Sequence, residues 1–370
     1  MTDKKEYMRR LIIADVKSIN RKGKSSGHYF SLAENYKELY GDTCKVKVGG
    51  GPVYLTHFKE NDMFVLPYDS KDGENKLLQV WLTLMNCRYL FRHTTADDVI
   101  VMQHSAVATF MAGIALFAKK DSNIYVITYD TVAISRPFEW LKRMIFHFAK
   151  QHIKGFLCSN EKVAKRYGLP YCIIPDYIYP YFASDVKPIS YAMKKYDFVM
   201  VGSIWPDKGV LEAVKQLAKT PYKVLVAGKP SNEHLGKAIE DVCEHAENIE
   251  LQLGFVSDKD YHRYIMEARY CMFNYQGVYA ERSSGVILDV LFNGTPVVGH
   301  SCNATQFVGD NGLGFLFDDI TKFNPQSVMS KEQQEKYVHV IARYLKKQEV
   351  LKCKVVNFLQ LKKQESDWLE

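Results

Sequence analysis

Along the chain, short continuous apolar runs alternate with longer stretches in which apolar residues return every three or four positions. Runs of the first kind at 11–16, 98–103 and 123–128, with shorter ones at 156–158 and 172–174, predict buried strands. The periodic stretches at 29–40, 76–91, 106–118 and 138–152 predict helices. Strand and helix in regular alternation predict α/β layers around a parallel sheet. Residues 49–72 break the rhythm: three glycines predict a loop, and FVLPYD is the one strand-like run within it.

A second cycle begins after the proline- and aromatic-rich stretch 175–190, which reads as an interdomain crossover. It predicts strands at 198–201, 223–227, 249–251, 270–273 and 296–298. Helices are predicted at 209–218, 232–245, 258–268 and 284–292, a Rossmann-like succession. Residues 331–369 have a strongly helical pattern. The chain of 370 residues is long for one core. The division predicted is a first Rossmann-like domain over 1–180, a linker over 181–195, a second Rossmann-like domain over 196–345 and a terminal helix over 346–370.

Composition narrows the class. Apolar residues make up 47% and charged residues 25%, the mix of a soluble globular protein. The start, MTDKKEYMRRLIIADV, carries charges and no long apolar run, so no signal peptide is expected. The longest apolar stretch, 107–118, falls short of the roughly 20 residues a spanning helix needs. Eight scattered cysteines without a C-x-x-C predict reduced thiols in a cytoplasmic protein. Residues 1–190 hold 27 Lys and Arg against 19 Asp and Glu, whereas the remainder holds 22 against 23. A basic first half suits an anionic partner or membrane surface. No helix-turn-helix, zinc finger or RNP-like stretch accompanies it, so nucleic acid is not expected as the partner.

The densest chemistry lies in residues 281–298, ERSSGVILDVLFNGTPVV. On one helix, 281, 285 and 289 would share a side. Ser283, Ser284 and Gly285 stand where the helix would begin, and free amides at a helix start attract phosphate. An acid, an anion cradle and a second acid in sequence suit a ligand with a sugar, a diphosphate and a ribose in a row.

This segment resembles the E-x7-E signature of the retaining, two-domain GT-B glycosyltransferases of the family 4 kind (glycosyl transferases group 1). The resemblance extends over most of 196–318 and more weakly over 9–180. It implies two Rossmann-like domains facing each other across a cleft, with a final helix crossing back to the first. Glu281 resembles the first signature acid, near the donor sugar and reacting centre. Ser283, Ser284, Gly285 and Val286 resemble the diphosphate cradle, and Asp289, one methylene shorter than the usual Glu, resembles the ribose-binding acid. In YDFVMVGSIWPDKGVLEAV, residues 196–214, a strand ends at Gly202-Ser203 and Lys208-Gly209 opens a helix. The resemblance implies that Lys208 pairs with the donor diphosphate; many members have an Arg where Ser203 stands. Gly254, Phe255 and Val256 match residues that line the nucleobase pocket through their backbone. Gly27, in Ser25-Ser26-Gly27-His28, resembles the glycine loop that faces diphosphate and acceptor; a P-loop is excluded because Ser18 stands where its first glycine belongs. Many members carry a histidine after a strand like 123–128, where this chain has Tyr129-Asp130, and His104 follows the preceding strand.

Two further motifs read in more than one way. Asp258-Lys259-Asp260 matches a D-x-D metal motif, but Ser257 followed by acids is the stronger signal of a capped helix start, and no metal is expected. Residues 136–154, RPFEWLKRMIFHFAKQHIK, interleave aromatic and basic residues. They read as a helix packed on the first sheet with a solvated basic face, or as one that rests on anionic lipid.

The function expected is transfer of a sugar from a UDP- or GDP-linked donor to an acceptor hydroxyl with retention, without a cofactor. The acceptor implied is a glycan or lipid-linked glycan in surface polysaccharide synthesis, at the inner face of the membrane. The alternatives are a sugar-nucleotide epimerase or hydrolase on the same fold, and a partner subunit that binds nucleotide sugar without turnover.

Overall fold

The structure, a computed structural model, describes residues 9–20, 28–71, 73–159, 161–174, 189–281 and 284–361. The chain forms two compact units, Met1–Pro180 with Glu349–Glu370, and Tyr181–Gln348.

The first unit runs β1 (Arg10–Ala14), β2 (Ile19–Asn20), α1 (His28–Tyr40), β3 (Lys45–Gly50), β4 (Met63–Val65), β5 (Ser70–Lys71), α2 (Lys76–Arg92), β6 (Val99–Met102), α3 (Val107–Phe117), β7 (Asn123–Thr128), α4 (Glu139–Ala149), β8 (Ile153–Cys158), α5 (Glu161–Tyr167) and β9 (Tyr171–Ile173). Seven strands form a parallel sheet in the order β4-β3-β1-β6-β7-β8-β9, and β2 pairs with β5 apart from it. Alternate strand residues serve opposite faces. Ile12, Ile100 and Val126 pack with Phe91 of α2, Phe110 of α3 and Phe146 of α4, while Leu11, Val101 and Ile127 pack with Leu32 and Tyr36 of α1. Both faces are covered, so the strands read as continuous apolar runs.

The loop expected from residue 49 is instead the end of β3. Its glycines answer to crowding rather than to a turn. A Cβ on Gly50 would lie 2.4 Å from the ring of buried Tyr54, and one on Gly49 would lie 3.2 Å from Ala14 on β1. Of the FVLPYD run, only Phe64 and Val65 are in a strand, β4.

The second unit runs β10 (Tyr196–Val201), α6 (Val210–Leu217), β11 (Val224–Gly228), α7 (Glu233–Cys243), β12 (Ile249–Leu253), α8 (Asp258–Glu267), β13 (Ala268–Phe273), α9 (Gly277–Ala280), α10 (Gly285–Phe292), β14 (Val297–His300), α11 (Gln306–Asp310), β15 (Gly314–Phe317) and α12 (Lys331–Lys346). Its six strands are parallel, in the order β12-β11-β10-β13-β14-β15.

The helical pattern over 331–369 resolves into α12 and a separate α13 (Gln348–Phe358). Val355, Val356 and Leu359 of this last segment are buried in the core of the first unit, with Tyr125 and Ile127. Among the described residues, no helix is long and apolar enough to cross a membrane.

In each sheet the chain enters at an interior strand, builds outward on one side, then continues on the other. The reversal falls between β1 and β6 in the first unit and between β10 and β13 in the second. Connections that leave adjacent strands toward opposite sides open a crevice at their carboxyl ends, where α/β sheets bind ligands.

Candidate active site

At the reversal in the second sheet, Gly202 and Ser203 leave β10 while Asn274 and Tyr275 leave β13. A cavity there is lined by Gly202, Ser203, Lys208, Met272, Phe273 and Tyr275, among others. Lys208 ends a single turn of 3-10 helix, Pro206–Lys208, immediately before α6. Gly209 must follow it. Its φ of +61° is left-handed, and a Cβ would meet the Asn274 carbonyl oxygen at 2.2 Å.

Lys208 is 8% exposed. Its Nζ donates to Ser203 Oγ at 3.2 Å and lies 5.2 Å from the centre of the Tyr279 ring. Burial pulls its ammonium from 10.5 down to about 8, with no carboxylate restoring it. A hydroxyl and an aromatic face solvate a buried cation only partly. Among the described residues, no carboxylate pairs with this cation, so the site is suited to an added anion.

Neighbouring backbone is clamped to this turn. Asp207 accepts from the Val278 amide at 3.1 Å through its side chain and from the Gln276 amide at 2.7 Å through its carbonyl, which fixes α9 beside Lys208. The buried Tyr275 hydroxyl lies 2.7 Å from Ser284 Oγ, at the N-cap of α10. Ser284 thus spends its hydroxyl on Tyr275 and makes no side-chain cap to α10, and an uncapped helix start suits an anion. Gly285 and Val286 form this first turn, and a Cβ on Gly202 would approach Val286 to 3.9 Å. The α10 start and the Gly202 end of β10 are therefore neighbours.

The two signature acids are arranged differently from the shared helix face expected. Glu281 is not on α10: it is the C-cap of α9, because the helix breaks before Gly285. Its Oε2 accepts from Asn303 Nδ2 at 2.6 Å, and the Ala280 carbonyl accepts from the Ala304 amide at 3.1 Å, so the loop after β14 holds it. Asp289 is on α10, where its Oδ2 accepts from the Tyr261 hydroxyl of α8 at 2.9 Å.

Gly254 follows β12 with φ +131° and open space around its missing side chain, and the Phe255 side chain is 91% exposed, with Val256 half-buried. Ser257 caps α8, accepting from the Asp260 amide at 3.1 Å; Asp260 also binds Ser257 Oγ at 2.7 Å and Arg263 at 2.7 Å. Gly27 and Ser283 lie outside the described residues. In the first unit, His104 follows β6 and its Nε2 lies 3.4 Å from Asp130 Oδ2, with Tyr129 edge-on at 5.2 Å.

Asp207, Tyr275, Tyr279, Asn303 and Tyr261 were not singled out from the sequence. Asp207 is signalled only by its place beside Lys208. The tyrosines and Asn303 become partners of Lys208, Ser284, Glu281 and Asp289 only through the sheet reversal.

Residues 195–326 match the model of a family described as Glycosyl transferases group 1. Comparison with curated proteins found no match. Among solved structures, the chain is similar to AviGT4, a glycosyltransferase involved in avilamycin A biosynthesis, at 14% identity and TM-score 0.58, covering 95% of this chain and 97% of that one. It is also similar to an α,α-trehalose 6-phosphate synthase from Burkholderia multivorans, at 9% identity and TM-score 0.68, covering 96% and 97%. A third similar structure is WaaG, a glycosyltransferase involved in lipopolysaccharide biosynthesis, at 13% identity and TM-score 0.59, covering 95% and 99%. The chain has the GT-B fold of two Rossmann-like domains, and the stretch that matches the glycosyl transferases group 1 model lies in its second unit.

Proposed function

We propose that the protein transfers a sugar from a nucleoside-diphosphate sugar to an acceptor hydroxyl with retention of anomeric configuration. The observation that carries this reading is the buried ammonium of Lys208 in the reversal crevice, near the uncapped start of α10, within the stretch that matches the glycosyl transferases group 1 model. The bond from sugar to diphosphate breaks with charge flowing onto the phosphate oxygens. Lys208 and the amides of Gly285 and Val286 are poised to stabilise that charge. Asp289 takes the ribose and Glu281 the donor sugar beside the reacting carbon. The acceptor hydroxyl then attacks from the side the diphosphate leaves, and the departing phosphate takes its proton, so neither a metal nor a separate general base is needed. The donor is UDP- or GDP-linked.

A thermal-shift panel of UDP- and GDP-sugars with the free nucleotides tests the donor half. A ligand that binds only the folded state raises its stability by mass action. One nucleotide series is expected to raise the melting temperature, and free nucleotide is expected to accumulate only when acceptor is added. Release without acceptor identifies a hydrolase or epimerase, and binding without turnover a partner subunit.

The acceptor is a glycan or lipid-linked glycan in surface polysaccharide synthesis, reached at the cytoplasmic face of a membrane. Supporting this is α4. Phe138, Trp140, Leu141, Met144 and Phe148 are exposed rather than packed on the sheet, and only Phe146 and Ala149 of the helix are buried. Phe138 is 71% exposed and holds a left-handed φ of +61°. The same stretch, 136–154, holds Arg136, Lys142, Arg143, Lys150 and Lys154 against a single carboxylate, Glu139. Exposed apolar side chains in a basic stretch suit an anionic bilayer surface. Co-sedimentation with vesicles containing phosphatidylglycerol is expected to fall about tenfold or more in Phe138→Ser/Trp140→Ser, with wild-type protein binding neutral vesicles weakly.

A further inference from the structure

α4 is one of three helices that cover the same face of the first sheet, and the other two share its character. Cys87, Leu90 and Phe91 of α2 pack inward with Phe110 and Ile114 of α3 and Phe146 of α4. The layer is continuous. α2 and α3 approach so closely that a Cβ on Gly113 would lie 2.5 Å from Cys87 Sγ, and α3 packs in turn on α4. A helix with one covered face ordinarily turns polar residues outward. Here the outward positions of α2 include Leu77, Trp81 and half-buried Met85, spaced four apart, and Leu77 is 80% exposed. α3, VATFMAGIALF, has no charged residue, and its Leu116 is 65% exposed.

The charges point to the occupant. α2, KLLQVWLTLMNCRYLFR, carries Lys76, Arg88 and Arg92, all exposed, and no carboxylate. Glu139 of α4 is the one acid in the three helices, and Arg143 already binds it at 2.8 Å. A second copy docking face to face would bring cations against cations. An anionic lipid surface offers hydrocarbon to the exposed side chains and phosphate to the cations. Each helix ends where the chain turns into the amino end of the next strand, so the helix starts lie toward the carboxyl edge of the sheet. Exposed apolar residues occur at both edges: Leu77, Trp81, Phe138 and Trp140 toward the carboxyl edge, Leu116 and Phe148 toward the amino edge. We propose that α2, α3 and α4 form a single bilayer-facing layer, on which the first unit lies flat rather than tipped onto α4 alone. The crevice at the carboxyl ends of β1 and β6 then opens along the lipid surface. A head group anchored in the same leaflet reaches it without leaving the interface. This rests on the membrane reading of α4 and adds two helices and an orientation to it.

Tryptophan fluorescence on the full chain tests it, because the four tryptophans can be reduced to one. Trp140→Phe/Trp205→Phe/Trp368→Phe keeps Trp81 alone, and Trp81→Phe/Trp205→Phe/Trp368→Phe keeps Trp140 alone. Vesicles of phosphatidylglycerol brominated along its acyl chains are expected to quench both reporters about twofold, since an interfacial helix buries its apolar face at the head-group and acyl boundary. Leu77→Ser/Trp81→Ser is expected to lower binding to unbrominated phosphatidylglycerol vesicles about tenfold with an unchanged thermal melt. Quenching of Trp140 alone overturns the three-helix layer and leaves α4 as the contact. Quenching of neither overturns the membrane reading and this proposal with it. Unchanged vesicle binding by Leu77→Ser/Trp81→Ser also overturns the proposal, and a wild-type dimer that this variant loses in sedimentation would assign the α2 face to a second copy.

Discussion

Lys208→Met is expected to make the protein more stable and nearly inactive. The lysine is buried without a carboxylate, and its folded-state pKa lies near 8 instead of 10.5. Between those values the unfolded chain holds a proton that the folded chain does not, so wild-type stability rises with pH across that window. Below about pH 8 both states are protonated and the folded one bears the full cost of a buried charge, at most about 3 kcal/mol. Methionine fills similar volume without the charge. Its stabilisation should be greatest at pH 7 and vanish above about pH 10.5, as thermal melts at several pH values would show. Turnover should fall about a thousandfold, as when a preorganised donor to developing charge is removed. The wild-type enzyme should also lose kcat/KM as pH rises past about 8 and the ammonium deprotonates. A variant that is both destabilised and active removes Lys208 from the mechanism.

Gly228→Ala should have the opposite signature, a loss of fold that takes function with it. Gly228 ends β11, and a Cβ there would fall 1.8 Å from the carbonyl oxygen of Gly202, the residue that opens the crevice. Backbone cannot yield as a side-chain tip can, and the two strand ends are bonded on both sides. The Gly202 amide donates to Ala227 at 3.0 Å and the Gly254 amide to Gly228 at 2.9 Å. A cost above about 3 kcal/mol is expected, in the range of severe overpacking. Gly254→Ala meets open space and carries only the strain of its φ, about 1–3 kcal/mol, without the clash at Gly228. Denaturant melts of the two variants should separate, with Gly228→Ala the less stable; similar midpoints would mean that β10 and β11 spread apart easily.

What the sequence made legible was the part governed by local chemistry. Continuous apolar runs marked the interior strands β6, β7, β10 and β13, since both faces of each sheet are covered. Lys208-Gly209 was visible as a cation at a helix start. Its burial was not, because that depends on Tyr279 arriving from a short helix about seventy residues further along the chain. The Glu281–Asp289 spacing suggested one helix because eight residues fit helical periodicity. In the structure Glu281 ends α9 and Ser284 stands at the N-cap of α10 with its hydroxyl against Tyr275, a contact that no spacing encodes. Glycines at 49 and 50 look like a turn in isolation, whereas they are the space left for Tyr54 and Ala14. On α4, the alternation of aromatic and basic residues was plain, but which of them the sheet would cover was not.

The placement of α13 bears on the order in which the protein can be made. The first unit is interrupted in sequence by the whole of the second and is completed only by residues after 348. A ribosome releases β1 through β9 with Tyr125 and Ile127 still lacking the cover of Val355, Val356 and Leu359. The second unit, continuous from 181 to 348, has all its strands in hand before that cover exists. Synthesis therefore favours a nascent chain whose later half settles first, while the earlier half waits with the part of its sheet around Tyr125 and Ile127 lacking the cover that α13 adds.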